Sequence, residues 1–130
     1  MIIYGKIRGD IVEENKQLLN KMYENLDKDK TTLTELQVYE DLLVKVRGFE
    51  DESAQDLMLL LTEEVGELAK EVRKASTKIK MDVNAAKTIH LEEELSDVFS
   101  YVLAIARFYN INLVDAFKQK EEKNMKRIWE

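Results

Sequence analysis

The near absence of residues that interrupt helices constrains this chain most. Its 130 residues include no proline and only four glycines. Proline and glycine mark most turns and loops, and proline ends or kinks a helix. Leucine, glutamate, lysine and alanine, all of which favour helices, are abundant. The sequence therefore predicts an all-α protein.

Apolar periodicity places four or five helices along the chain. They are predicted at about residues 10–26, 32–48, 53–75, 85–109 and 113–128. Thr32 and Glu35 have the spacing of a capping box, and Asn112 is a candidate N-cap of the last helix. Long helices with short connections favour a four- to five-helix bundle.

Charge and composition exclude several classes of protein. With 26 acidic and 20 basic residues the net charge is −6, which argues against a nucleic-acid binder that relies on an excess of basic groups. The chain has no cysteine, which excludes disulfides, zinc–thiolate sites and cysteine nucleophiles. No apolar run approaches the roughly 20 residues that cross a bilayer, and the N-terminal apolar stretch is too short for a signal peptide. We therefore expect a cytoplasmic protein with no membrane partner.

Acidic residues lie where apolar ones are expected in the two most apolar helices. The third predicted helix contains EEVGE and the fourth contains EELSD. At about 100° per residue, Glu64 and Glu94 fall inside the apolar arcs of their helices. Glu67 and Asp97 lie at the borders of the same arcs, one turn further along. Each helix thus presents a pair of carboxylates on or beside its apolar face.

Buried carboxylates need a compensating charge. Burying an ionised carboxylate without a partner costs several kcal/mol, and like charges nearby add to that cost. Lys70, Arg73 and Lys74 point largely away from the acidic pair of the third helix. A divalent cation is the simpler source of compensation, and Mg²⁺ prefers oxygen ligands. Ordinary salt bridges on solvated helix faces stay open as the alternative.

The motif pair with its flanks resembles the MazG-like, all-α nucleotide pyrophosphohydrolases. Members carry ExxE, a connection, and then ExxD, and this chain has EVGE at 64–67 and ELSD at 94–97. The segment 47–49, which ends in an aromatic residue, and the Lys/Asn/Arg-rich segment 120–127 are similar to family segments as well. The resemblance covers about residues 33–129.

The resemblance implies a domain division and an assembly. Residues 31–130 are expected to form the MazG-like domain and residues 1–30 an N-terminal helical extension. The family also implies a homodimer or a dimer of dimers, that is, a homotetramer. Met58, Leu59, Phe99 and Leu103 widen the apolar arcs and are expected to face the second subunit.

The resemblance further implies magnesium-dependent hydrolysis of (deoxy)nucleoside triphosphates to the monophosphate and pyrophosphate, as in the removal of noncanonical nucleotides. Mn²⁺ is a possible substitute for Mg²⁺. The implied metal ligands are Glu64, Glu67, Glu94 and Asp97; the phosphate contacts Lys120, Asn124 and Arg127; and the base contacts Phe49 and Tyr101. Glu63 shares a helix turn with Glu67, and we assign it the activation of the attacking water. Trp129 is the single tryptophan, so the base preference of tryptophan-rich relatives is not carried over.

Three alternatives come from the same residues. A di-iron carboxylate bundle needs Glu-x-x-His on two helices, and the single histidine, His90, precedes its glutamates instead. A non-enzymatic helical interaction or regulatory module explains the bundle but not the acids inside the apolar arcs. A related pyrophosphohydrolase that acts on a phosphoribosyl-nucleotide keeps the family and changes the substrate.

Overall fold

Five α-helices make up the regular structure of the described chain. The computed structural model describes residues 2–76, 78–84 and 89–130, with only the backbone for residues 2–10, and these ranges contain no strand. The helices are α1 (Ile2–Glu24), α2 (Leu33–Arg47), α3 (Ala54–Ser76), α4 (Leu91–Phe108) and α5 (Leu113–Asn124). The all-α prediction is confirmed. No described helix is both long and apolar enough to span a bilayer.

The start of α2 is determined by the predicted capping box. The N–H of Glu35 donates to Thr32 Oγ1 at 3.1 Å, and the Thr32 hydroxyl donates to Glu35 Oε1 at 3.0 Å. At the other end Gly48 has φ 73°, the left-handed conformation that glycine adopts without strain. Asn112 caps α5 in the same way as Thr32 caps α2, since its Oδ1 accepts the N–H of Asp115 at 3.0 Å.

Three helix ends differ from the predictions. α1 begins at Ile2 rather than at residue 10, because isolated glycines cost a helix only about 1 kcal/mol each. α4 begins at Leu91, and Ile89 and His90 precede it; the predicted start, at residues 85–88, lies outside the described residues. α5 ends at Asn124, four residues before the predicted end at 128.

The chain divides into two compact units. The first comprises Met1–Asp51 with Ala106–Glu130, and in it α2 packs against both α1 and α5. Gln37 joins α2 to the start of α5: its Nε2 donates to the carbonyl of Ile111 at 2.7 Å and its Oε1 accepts the N–H of Leu113 at 2.9 Å. These two bonds hold the turn before α5 against α2.

The first unit also buries one carboxyl group. Glu40, on α2, is buried, and burial raises its pKa, while the charges of Arg107 and Arg47 act in the opposite direction. The buried apolar residues of the first unit include Leu19 and Val44.

The second unit, Glu52–Ile105, contains α3 and most of α4. Leu57 on α3 is 2% exposed, and Leu103 and Ala104 on α4 are also buried. The expectation that Leu103 faces a second subunit is therefore wrong. Leu95, on the same helix, is 51% exposed.

Candidate metal centre

Three acidic side chains from two helices converge in the second unit. Glu64 lies in the middle of α3, Glu94 in the first turn of α4, and Asp97 one turn later. One carboxylate oxygen of each residue lies within 4.8 Å of the other two. Glu64 and Glu94 are partly buried and Asp97 is exposed. These three residues are called the acidic cluster below.

One oxygen of the acidic cluster has no protein partner. Glu94 Oε2 is buried and accepts no hydrogen bond from any described residue. A buried polar atom left unsatisfied costs about 1–3 kcal/mol, and more when it is charged. A cation bound between the three carboxylates would remove that cost. The donor set is entirely oxygen, which matches the preference of Mg²⁺ and Mn²⁺.

The acidic cluster is electrostatically unfavourable without a cation. The pKa of Glu64 is raised, first by burial and then by the charge of Asp97. A side-chain hydrogen bond with Glu94, the charge of Glu94 and, last, the charge of Glu63 raise it further. Like charges this close disfavour simultaneous ionisation. The cluster therefore has the electrostatics expected of a site prepared for positive charge.

A pH-dependent stability follows from Glu64. Because its folded pKa lies above the ordinary value of 4.5, its stabilising contribution is complete below that value and is lost as pH rises through the folded pKa. In the metal-free protein, the free energy of unfolding of wild type relative to Glu64→Gln should therefore fall as pH rises above about 4.5. Urea denaturation of both proteins in EDTA at several pH values measures this difference in the free energy of unfolding.

Asp56→Asn supplies a control of opposite sign. The N–H and hydroxyl of Ser53 hydrogen-bond Asp56 and lower its pKa, so its contribution is present at neutral pH and lost as pH falls. A wild-type/Glu64→Gln difference that stayed constant with pH would contradict the proposed repulsion.

The remaining acids of the predicted site lie on the same helix. Glu67 and Glu63 are exposed on α3, and Glu67 is not part of the acidic cluster. Glu63 lies close enough for its charge to raise the pKa of both Glu64 and Tyr101. The structure thus brings together three of the four predicted metal ligands and places the predicted base beside them.

Tyr101 lies next to the acidic cluster. It follows Asp97 by one turn on α4 and is partly buried, and burial raises its pKa, with further contributions from Glu52, Glu64 and Asp97. Its phenol therefore stays protonated at neutral pH and can donate a hydrogen bond. Glu52 is an acid that sequence reasoning missed, because it belongs to neither motif and only the fold brings it near Tyr101.

The other predicted site residues belong to the first unit. Phe49 is 43% exposed just after α2, and its N–H donates to the carbonyl of Val44 at 2.9 Å. Lys120 is exposed on α5, and Asn124 Nδ2 donates to Glu121 Oε1 at 2.8 Å. The Arg127 guanidinium lies 4.6 Å from the centre of the Trp129 ring, a cation–π contact.

Comparison with known protein families gives a match over the second half of the chain. The model described as the MazG nucleotide pyrophosphohydrolase domain matches residues 52–128, more than half of the chain. The matched range contains both acidic motifs and the C-terminal basic residues, and it excludes Phe49. Comparisons with curated proteins and with solved structures found no match. The predicted division into residues 1–30 and 31–130 stays a prediction.

Proposed function

The chain belongs to the MazG nucleotide pyrophosphohydrolase family, and from this premise we propose that it hydrolyses (deoxy)nucleoside triphosphates to the monophosphate and pyrophosphate with Mg²⁺ or Mn²⁺. The convergence of Glu64, Glu94 and Asp97, with one buried oxygen left without a partner, carries the proposal. Neither a solvated helix face nor a plain interaction surface requires that arrangement.

In the proposed mechanism the acidic cluster would hold the cation. Glu67, on the next turn of α3, would be a fourth ligand. When bound, the cation supplies charge neutralisation at the phosphates and a water of lowered pKa. Glu63 would orient the attacking water and accept its proton. The bond between the α- and β-phosphates breaks, one water is consumed, and the monophosphate and pyrophosphate leave.

The nucleotide contacts are proposed on chemical grounds. Lys120, Asn124 and Arg127 offer the N–H donors that the leaving pyrophosphate needs. Phe49 and Tyr101 offer aromatic faces for the base. The position of Tyr101 beside the acidic cluster supports its part in this assignment. The proposed role is removal of noncanonical nucleotides from the cytoplasmic pool.

A panel of ribo- and deoxyribonucleoside triphosphates, with a phosphoribosyl-nucleotide included, tests the function. We expect magnesium-dependent release of one monophosphate and one pyrophosphate from at least one member, and none in EDTA. If only the phosphoribosyl-nucleotide were hydrolysed, the proposed reaction type would stand and the proposed substrate would be wrong. No turnover, together with no heat of Mg²⁺ binding in calorimetry, would favour the non-enzymatic module.

We further propose that the protein is a homodimer or homotetramer. The second unit leaves large apolar side chains in solvent: Met58 is 55%, Leu59 71% and Phe99 40% exposed. Extended apolar surface of this kind marks protein–protein contacts. Met58 and Leu59 lie on α3 and Phe99 on α4. Their exposure supports the proposal that they face a second copy.

Light scattering after gel filtration checks the assembly. At micromolar concentration we expect two or four times the 15.2 kDa of one chain. Leu59→Glu should dissociate the assembly because it places a charge in the proposed contact. Tyr23→Glu, at a 65% exposed position of α1, should not. A wild-type monomer would contradict the proposal.

A further inference from the structure

Glu71 is a buried charged residue that the proposed mechanism does not use. It lies on α3 and is 5% exposed. Both of its oxygens are bonded: Oε1 accepts from Lys74 Nζ at 2.8 Å, and Oε2 accepts from the backbone N–H of His90 at 2.8 Å. Two donors from different parts of the chain therefore fix the orientation of this carboxylate.

His90 is the residue from which α4 begins. Its carbonyl accepts the N–H of Glu94 at 3.1 Å, the bond that closes the first turn of that helix. A path of two hydrogen bonds thus runs from Glu71 to His90 and from His90 to Glu94. Glu71 holds the start of the helix that carries two members of the acidic cluster.

Glu71 and Glu64 share one face of α3. Seven residues separate them, which at about 100° per residue returns to within about 20° of the same direction. This face therefore carries the third member of the acidic cluster and, two turns later, the carboxylate that holds the start of α4. Because Glu71 binds the start of α4, this one side chain relates the position of Glu64 on α3 to the positions of Glu94 and Asp97 on α4.

The precision that a metal site requires makes this coupling important. A shift of α4 by one residue moves Glu94 by about 1.5 Å along the axis. Mg²⁺ demands oxygen ligands at about 2.0–2.1 Å, and functional groups generally need placement within about 0.5 Å. A shift of that size would take Glu94 and Asp97 out of reach of a cation bound by Glu64.

Lys74 offsets the charge of Glu71, so that this carboxylate does not add to the repulsion in the acidic cluster. Its ammonium neutralises Glu71 within the same helix, and its side chain is 11% exposed. Lys74 and the His90 N–H lower the pKa of Glu71, so the carboxylate stays ionised. Negative charge near the N-terminus of α4 is also favourable to the helix dipole.

We propose that Glu71 is a positioning residue of the metal centre, which sets the axial position of α4 and so places Glu94 and Asp97 opposite Glu64. The inference rests on the proposed function, because it presumes that the acidic cluster binds a divalent cation. Glu71 touches neither the cation nor the substrate.

Mn²⁺ titration of the full chain, followed by electron paramagnetic resonance without nucleotide, tests the proposal. The variants are Glu71→Ala, Glu71→Gln and Glu94→Gln, at a temperature where circular dichroism shows each to be helical. Loss of a residue that orients metal ligands typically weakens binding by 10–100-fold, and we expect a loss of about that size for Glu71→Ala. Glu71→Gln keeps an acceptor for the His90 N–H and should bind more tightly than Glu71→Ala.

Ser53→Ala is the matched control for lost stability. It removes the side-chain acceptor at the start of α3, where Ser53 Oγ accepts the N–H of Asp56 at 3.1 Å, and it leaves the Glu71–His90 contact in place. Its Mn²⁺ affinity should equal that of wild type. Should Glu71→Ala not fold, Glu71→Gln decides: we expect weaker Mn²⁺ binding and faster hydrogen exchange of the His90 amide.

The outcomes separate the two proposals. Wild-type affinity in Glu71→Ala, or in Glu71→Gln despite faster hydrogen exchange of the His90 amide, would overturn the positioning role while the metal centre stood, provided that Glu94→Gln had lost Mn²⁺ binding. An equal loss in Ser53→Ala would also overturn it. No saturable Mn²⁺ binding by wild type, or wild-type binding by Glu94→Gln, would overturn the metal centre and the positioning role together.

Discussion

Replacing Glu94 with glutamine should lower magnesium-dependent pyrophosphate release by more than about 100-fold, because losing a ligand exceeds the 10–100-fold typical of outer residues. The same variant should unfold at a higher temperature than wild type in EDTA. Its carboxamide removes one of three charges whose oxygens lie within 4.8 Å of one another, and it can donate a hydrogen bond to Glu64. We expect such opposite effects on activity and stability from a site whose carboxylates repel one another until a cation binds.

Glu92→Gln is the matched control for this prediction. It makes the same change of charge in the same first turn of α4, but Glu92 is exposed and lies outside the acidic cluster. We expect nearly wild-type activity and thermal stability from it. A coupled pyrophosphate assay and thermal unfolding in EDTA measure both quantities. Undiminished turnover by Glu94→Gln, or equal losses in the two variants, would refute the assignment of Glu94.

Replacing Lys74 with alanine should lower the free energy of unfolding by about 3 kcal/mol, since removing one member of a buried ion pair leaves an uncompensated charge. Glu71 would stay buried with the His90 N–H as its remaining hydrogen-bond donor. The stability lost in Lys74→Ala should be smaller at acidic pH than at neutral pH. The folded pKa of Glu71 is lowered, so the stability from its charged form is present above the ordinary value of 4.5 and disappears as pH falls through the folded pKa.

Lys45→Ala gives the matched comparison. Lys45 pairs with Asp41 at 3.1 Å, but the two side chains are 51% and 48% exposed, so the pair is surrounded by water. Exposed pairs four residues apart on a helix contribute about 0.3–0.5 kcal/mol. Urea denaturation at neutral pH measures both variants. Equal losses would show that the Glu71–Lys74 pair behaves as a surface ion pair.

The predictions that depended on local chemistry were confirmed. Thr32 and Asn112 cap their helices because a hydroxyl or amide oxygen needs only a backbone N–H a few residues ahead. The proximity of Glu64 to Glu94 and Asp97 could be predicted for a similar reason. The helical period put each acid on or beside the apolar face of its helix, and apolar faces pack against neighbouring helices.

What the sequence did not show depends on contacts between distant residues. Glu71 and Lys74 have the spacing of an ordinary surface pair, and nothing in that spacing indicates the backbone N–H of His90, nineteen residues later. The burial of Leu103 likewise depends on which side of α4 packs, and the apolar pattern did not identify that side.

A crystal structure grown with Mg²⁺ and a nucleotide analogue that resists cleavage between its α- and β-phosphates tests the proposed site most directly. We predict a cation bound by Glu64, Glu94 and Asp97 that also contacts the phosphates, with Glu67 turned toward it. Carboxylates that point into bulk solvent in every subunit, with the nucleotide bound elsewhere, would contradict both the metal centre and the reaction assigned to it.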